Sequence, residues 1–282
     1  MNDIAATASP PKPAEVLPAK RRSWLGKAAQ RLVLLLPGIA ILVFWQWAAG
    51  RLIKEIYVSK PSAVAVRLYE VFSSGEIYPH LWTTGQELVL GYVIGVSGGI
   101  LAGYALGRSP RLASIFEPYV MAFYGVPKIA LAPLFIVWLG VGSSSCIVVA
   151  IFIAFFPIVV STATGLVSAK PEVLQLCRSL TASEWQMFRL ARFPYAMPFV
   201  FGGMKVGVTM AMIGVIVGEF ITAQAGLGYI IMFASSAGET ATVLAAIVLL
   251  CGIGLALYGI VALGELALLR WYGGEMPVGG VI

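Results

Sequence analysis

Apolar runs of bilayer length are the feature that most constrains this 282-residue chain. Leu32–Ala49, Glu87–Gly107, Ala113–Gly140, Cys146–Gly165, Met197–Ile221 and Ala241–Arg270 are each close to or beyond the ~20 residues that cross a hydrocarbon core as a helix. Hydrophobic residues make up 59% of the chain and charged ones 11%. Soluble domains carry about 45–50% and about 25%, so a soluble core of this size would leave apolar surface in water. In lipid every backbone N–H and C=O must be satisfied within the protein, which helices do by themselves. The pattern predicts an all-α integral membrane fold of six transmembrane helices over residues 31–282.

Outside the spans the chain is patterned. Met1–Gln30 is polar and Pro-rich, ends in Lys20, Arg21, Arg22 and Lys27, and reads as a disordered cytoplasmic tail. With Leu32–Ala49 it resembles a signal peptide. The run exceeds a 7–15-residue signal core, however, and further spans follow, so a retained first helix is preferred. Val64, Leu68, Val71 and Phe72 put one apolar face on a short helix, Pro61–Ser74, predicted to lie on the membrane surface and to stop at Gly75. Gly91, Gly95, Gly99, Gly103 and Gly107 line one side of the second span and predict close helix packing. Pro118, Pro127 and Pro133 predict a kinked or broken third span.

Charge sets orientation. With a cytoplasmic N-terminus and six spans, 13 Lys and Arg fall on the cytoplasmic side, and only Arg51, Lys54, Lys60 and Arg67 on the outer side. This bias predicts cytoplasmic termini in a plasma-membrane protein. The net charge of +6 is divided among short loops rather than gathered in a stripe, which argues against nucleic acid as a partner. Lipid is the partner the spans require.

The chemistry inventory is thin. Cys146, Cys177 and Cys251 are far apart, with no metal-ligand spacing and no disulfide pattern. His80, the single histidine, sits beside Pro79 and Trp82 at an expected membrane edge, which suits an interfacial role better than a catalytic one. No phosphate-cradling loop is present, since Gly26-Lys27-Ala28 lacks the upstream Gly and the Ser/Thr. No nucleophile–base set appears, so no catalytic, cofactor or metal residue is assigned, and the chain does not read as an enzyme. Glu117, Lys128, Lys205, Glu219 and Glu265 lie in or near spans, where ionisable groups face protein or water. Lys128 suits either a structural partnership with a carboxylate or with free carbonyls at the Pro127 break, or an anion contact on a translocation path; the structural role is preferred. Lys128 and Glu219 are the candidates for such a path. Lys205 and Glu265 sit near cytoplasmic ends and are expected to snorkel.

Ser168–Pro194 is too polar to span and too long for a turn. Pro171 suits a first helical position and Glu172 the positive end of a helix dipole. Val173, Leu176, Cys177 and Leu180 form one apolar face. A break at Thr181-Ala182-Ser183 follows, and Ser183 with Gln186 fits a capping box opening a second helix. That helix carries Trp185 and Phe188 and is expected to end at Arg189 and Arg192 before Pro194. Pattern alone is equally compatible with a stripe resting on lipid or on the chain's own helices and with a docking surface for a soluble partner.

Resemblance separates these. The stretch resembles the EAA loop of ABC-importer permease subunits, with Gln175-Leu176-Cys177, Thr181, Ala191 and Phe193-Pro194 at the motif positions. The run Arg178–Trp185, Gly140-Val141-Gly142, Gly218-Glu219-Phe220 and Gly226-Leu227-Gly228-Tyr229 look like the branch that imports nitrate, sulfonates, taurine and related solutes. The resemblance covers nearly all of Leu32–Arg270. It implies a type I importer permease whose loop, about 168–194, is a coupling helix seated in an ATPase groove. The residues carried over to ATPase coupling are Glu172, Gln175, Arg178, Ser179, Leu180, Thr181, Ala182, Ser183, Trp185 and Phe188. It also implies that a partner ATPase binds ATP and Mg, that a second permease copy completes the path, most simply as a homodimer, and that an external solute-binding protein delivers a small anion. Gln175 stands where the family has Glu, which removes that acid's salt bridge and leaves Glu172 or Glu184 as acidic contacts. Thr181 stands where the family has Gly and is expected to need a less extreme backbone. The alternative is a secondary transporter or channel without an ATPase, which would show inverted repeats and paired midplane carboxylates; neither is evident. A membrane enzyme finds no support among the residues.

Overall fold

The computed structural model describes residues 24–271, apart from positions 53 and 223. Residues 1–23 of the expected tail and residues 272–282 lie outside the described part. The described elements are all helices. In chain order they are α1 (Trp24–Ala48), α2 (Pro61–Ser74), α3 (Ile77–Arg108), α4 (Pro110–Gly125), a 3-10 turn (Lys128–Leu131), α5 (Ala132–Leu139) and α6 (Ser143–Val167). Then come α7 (Pro171–Ser179), α8 (Glu184–Met187), a π-helical segment (Phe188–Arg192), α9 (Phe193–Thr222), α10 (Leu227–Ala237) and α11 (Thr240–Trp271).

The first unit, residues 1–47, contains most of α1. This helix begins at Trp24, inside the stretch read as tail, and carries the apolar segment Leu36–Ala48. In the second unit four helices are long and apolar enough to cross a membrane: Ile77–Arg108, Ser143–Val167, Glu184–Ile221 and Thr240–Leu268. Pro110–Gly125 and Lys128–Leu139, bent by 85° at Val126-Pro127, make a fifth if counted as one broken span. The described part therefore holds four or five spans against the expected six.

Glycine explains the core. α6 runs between α3 and α9, and both present glycines to it. A Cβ on Gly91 would lie 2.6 Å from the Ala150 Cβ, one on Gly103 2.6 Å from the Thr162 Cβ, and one on Gly214 2.6 Å from the Ala150 Cα. Ala150 is thus pinched between two backbones, where any larger side chain would push them apart. Around it Leu88, Tyr92, Ala154, Ile158, Val208 and Val215 are buried. Membrane helices lack a hydrophobic drive to associate, and close van der Waals packing at small residues replaces it.

Three elements differ from expectation. α3 starts at Ile77, ten positions before the expected Glu87, which places Glu87 inside the helix at 2% exposure. α2 buries Val64 and Val71 against protein, and the Arg67 Nε donates to Thr242 Oγ1 of α11 at 3.0 Å, while Phe72 stays exposed, so the expected apolar face is divided between packing and the outer surface. Lys205 and Glu265 do not snorkel. They form an ion pair between α9 and α11, half-buried, because each supplies the charge that makes the other tolerable away from water.

Candidate functional site

The loop between α6 and α9 is built by local rules. Pro171 opens α7 after an extended Lys170, with Glu172 in the first turn and Arg178 in the last, each matching the helix dipole. α7 closes in a Schellman turn: Thr181 N–H donates to Arg178 O (2.9 Å) and Ala182 N–H to Cys177 O (3.0 Å). This turn needs a left-handed residue, and Thr181 takes it with φ +56°, the one non-glycine among the described residues at positive φ. The expectation of a less extreme backbone at Thr181 is therefore overturned. The hydrogen bonds that satisfy the helix end impose the glycine conformation on a β-branched residue.

Beyond the break, Ser183 Oγ accepts from Gln186 N–H (3.3 Å) and Gln186 Oε1 accepts from Ser183 N–H (2.8 Å), the reciprocal capping box. α8 does not end before Pro194. It continues through the π turn into α9, so that 184–221 is one helical run of 38 residues. Pro194 lies in the first turn of α9, directly after the π turn. A π turn rearranges the ladder near a residue that has no N–H to donate, and the helix passes Pro194 unbroken.

The expected single apolar face divides. Val173, Leu174 and Cys177 are half-buried, while Leu176 and Leu180 are 60% and 72% exposed. Trp185 is 65% exposed. Glu172, Gln175, Arg178, Ser179, Thr181 and Ser183 are also exposed, whereas Ala182 and Phe188 are half-buried. Phe188 anchors the loop to the span end: its ring lies 5.6 Å from Trp185 and 5.5 Å, edge on, from Tyr104 of α3. A hollow of about 80 Å³ between Tyr104, Arg108, Glu184, Trp185 and Arg192 underlies this contact.

At the opposite end of the same helices, residues far apart in sequence converge. α10 begins at Leu227, and its first N–H groups are met by side chains from two other helices. His80 Nδ1 lies 3.1 Å from Gly226 N and 3.2 Å from Gly226 O, accepting from the first or donating to the second according to its tautomer, while Leu227 N–H donates to Thr84 Oγ1 (2.8 Å) and Gly228 N–H to Glu219 Oε2 (2.5 Å). Thr84 Oγ1 in turn donates to Glu219 Oε1 (2.6 Å). Glu219 and Thr84 are each 1% exposed. Glycine is required here: Gly226 has φ +120°, and a Cβ on Gly228 would sit 2.7 Å from Glu219 Oε2. Gly218-Glu219-Phe220 and Gly226-Leu227-Gly228-Tyr229 are thus two halves of one contact. His80 and Thr84 were missed as its partners. Their spacing of four on α3 signals a shared face, and nothing in the sequence points that face at α10.

Lys128 sits at the break of the bent span. Its Nζ donates to Tyr124 O (2.7 Å) and lies 4.9 Å from the Tyr124 ring centre and 5.6 Å from that of Phe156. No group of three or more His, Cys, Asp or Glu gathers as a metal site among the described residues.

The family of binding-protein-dependent transport system inner membrane components matches residues 95–268. The riboflavin transport system permease protein RibX of Chloroflexus aurantiacus is 31% identical over 91% of this chain and 98% of its own length. The putative aliphatic sulfonates transport permease protein SsuC of Bacillus subtilis is 29% identical over 89% of each. An inward-facing crystal structure of the MetNI methionine ABC transporter shares the fold, with TM-score 0.53 and 19% identity over 65% of this chain and 93% of that one. Several helices long and apolar enough to cross a bilayer make this a multi-pass membrane protein, and the chain belongs to the family of binding-protein-dependent transport system inner membrane components. It is the permease component of an ABC importer, a transport part rather than an enzyme.

Proposed function

We propose that this permease crosses the plasma membrane six times with both termini cytoplasmic, the first span being the Leu32–Ala49 run. The loop 168–194 docks in a groove of an ATPase subunit, which supplies ATP and Mg. A second copy of the chain completes the path, and an external solute-binding protein delivers the cargo. The observation that carries the docking reading is the exposure of Leu176, Leu180 and Trp185 on a loop whose backbone ends are already satisfied by their own caps. Such a loop is held in shape without its apolar side chains, which leaves them free for a partner. Glu172, Gln175, Arg178, Ser179, Thr181, Ala182 and Ser183 frame that surface, and Phe188 fastens it to Tyr104.

Of the two span residues considered for the path, Glu219 is enclosed with both oxygens accepting hydrogen bonds, and we assign it to holding α10. Lys128, half-buried at the helix break, stays the candidate for a path contact. The proposed cargo is a small anion of the sulfonate, taurine or nitrate kind, supported by the SsuC relative and the Arg178–Trp185 run. The RibX relative supports a second cargo class, a riboflavin-like heterocycle. Competition of both against uptake separates them.

The docking test is Leu180→Asp at matched membrane expression. Burying one such side chain is worth about 1.5–3 kcal/mol, and a charge in its place must be desolvated on docking. The expected result is loss of ATPase capture, or capture without solute uptake. Normal capture and uptake would assign the loop to lipid. Gradient-driven uptake by the chain without any ATPase would establish the secondary transporter instead.

A further inference from the structure

The helical run 184–221 joins the two regions described above. Trp185 is at its start, on the exposed loop, and Glu219 is near its end, inside the contact with α10. At 1.5 Å per residue this run is about 57 Å long. A continuous hydrogen-bonded helix resists bending along its axis; the π turn at Phe188–Arg192 and the in-helix Pro198 both lie toward the loop end, and from Phe199 to Ile221 the run carries no proline.

At the far end the grip on α10 is specific. The N–H groups of Leu227 and Gly228 are received by Thr84 and Glu219, and the Gly226 backbone meets His80 Nδ1 through its N–H (3.1 Å) or its O (3.2 Å). A buried helix N-terminus leaves N–H groups that must find acceptors, and here the acceptors come from outside the helix. α10 also packs on α11 through Leu227, Ile230, Ile231 and Leu250, and the space beside it is local. A cavity of about 320 Å³ lies between α2, α10 and α11, lined among others by Arg67, His80, Tyr229, Phe233, Glu239 and Thr242. α10 is therefore tied by hydrogen bonds at its first turn to α3 and α9, while its contact with α11 is apolar and, among the described residues, carries no such polar tie at that turn.

We propose that His80, Thr84 and Glu219 are positioning residues for transport, forming the grip through which the 184–221 helix moves α10 when the loop end is displaced. The proposal rests on the docking reading of the loop. Displacing one end of a rigid helix displaces the other. A carboxylate and a hydroxyl on α10's N–H groups make the displacement carry α10 along rather than slide past it. Thr84 is central, because its hydroxyl accepts from Leu227 N–H and donates to Glu219 at once.

The test uses the complete transporter in proteoliposomes with ATPase, binding protein and loaded solute. Thr84→Val keeps the shape and removes the hydroxyl, and Thr84→Ser keeps the hydroxyl. Expected for Thr84→Val is normal ATPase capture and basal ATP hydrolysis with uptake reduced on the order of tenfold, the factor that leaving one buried hydrogen-bonding group unsatisfied is worth. Thr84→Ser is expected to return uptake to near the unaltered level. His80→Gln, which keeps a polar partner for the Gly226 backbone, serves as the second probe and is expected to transport where His80→Leu does not. Uptake by Thr84→Val at the unaltered rate, or falling only in proportion to assembled transporter, would overturn the grip. Failure of the docking reading shows separately, as normal ATPase capture together with normal uptake by Leu180→Asp.

Discussion

Two helix starts at opposite ends of one helical run solve the same problem by different means. α8 opens with orphan N–H groups and takes its acceptors from Ser183 and Gln186, its own neighbours, in the open. α10 opens with the same deficit and takes its partners from His80, Thr84 and Glu219, as many as 146 positions away, in the interior. A local cap holds a loop in shape while leaving it free to meet another molecule. A distant cap welds one element to others and makes them move together. The first suits a surface that docks, the second a joint that transmits.

Removing the distant cap sharpens that comparison most. Glu219→Ala leaves the Gly228 N–H and the Thr84 hydroxyl without their acceptor, at about 1–3 kcal/mol for each buried group. The expected outcome is a large fall in the melting temperature of the detergent-solubilised transporter, with much less folded protein in the membrane. Gly228→Ala attacks the same joint sterically, since the new Cβ would meet Glu219. Overpacking of this kind costs about 1–3 kcal/mol, so the expected shift has the same sign and is smaller, again read by thermal unfolding.

Local changes are expected to matter less to stability. Ser183→Ala removes one cap from an exposed helix start and costs about 0.5–2 kcal/mol. It should loosen the loop, seen as faster amide exchange over residues 183–188, with little change in global melting. Thr181→Gly goes the other way. A left-handed non-glycine residue carries about 1–2 kcal/mol of strain, so glycine should slow amide exchange through the α7 end while uptake holds. If Ser183→Ala lowered global melting as much as Glu219→Ala, the distinction between local and distant caps would fail.

Legibility follows the same division. The capping box, the Pro171 start, the glycine face of α3 and the break at Pro127 were all readable, because each is set by residues within a turn or two of one another. The Thr181 conformation was misread from its residue type, since β-branching argues against positive φ, and the hydrogen bonds of the helix end outweighed that preference. The continuous passage through Pro194 was also missed, because a π turn leaves no mark in sequence. Lys205 and Glu265 show the limit most clearly. Either could reach an interface, and only the packing of α9 against α11 makes each the other's partner.

By itself the sequence determined that this chain is helical and membrane-embedded, that its third span breaks, and that a polar loop with its own caps separates two late spans. Hydropathy, periodicity and capping act over a few residues and need no knowledge of neighbours. The tertiary structure alone decided which helices share a glycine seam, that Leu180 and Trp185 stay outside while Val173 and Cys177 turn inward, and that Glu219 closes on the start of α10 with Thr84. A helix face is a property of spacing, but what it faces depends on how the helices pack. In lipid that packing is settled by close contact and by which buried polar group meets which, so it is known only once the helices are assembled.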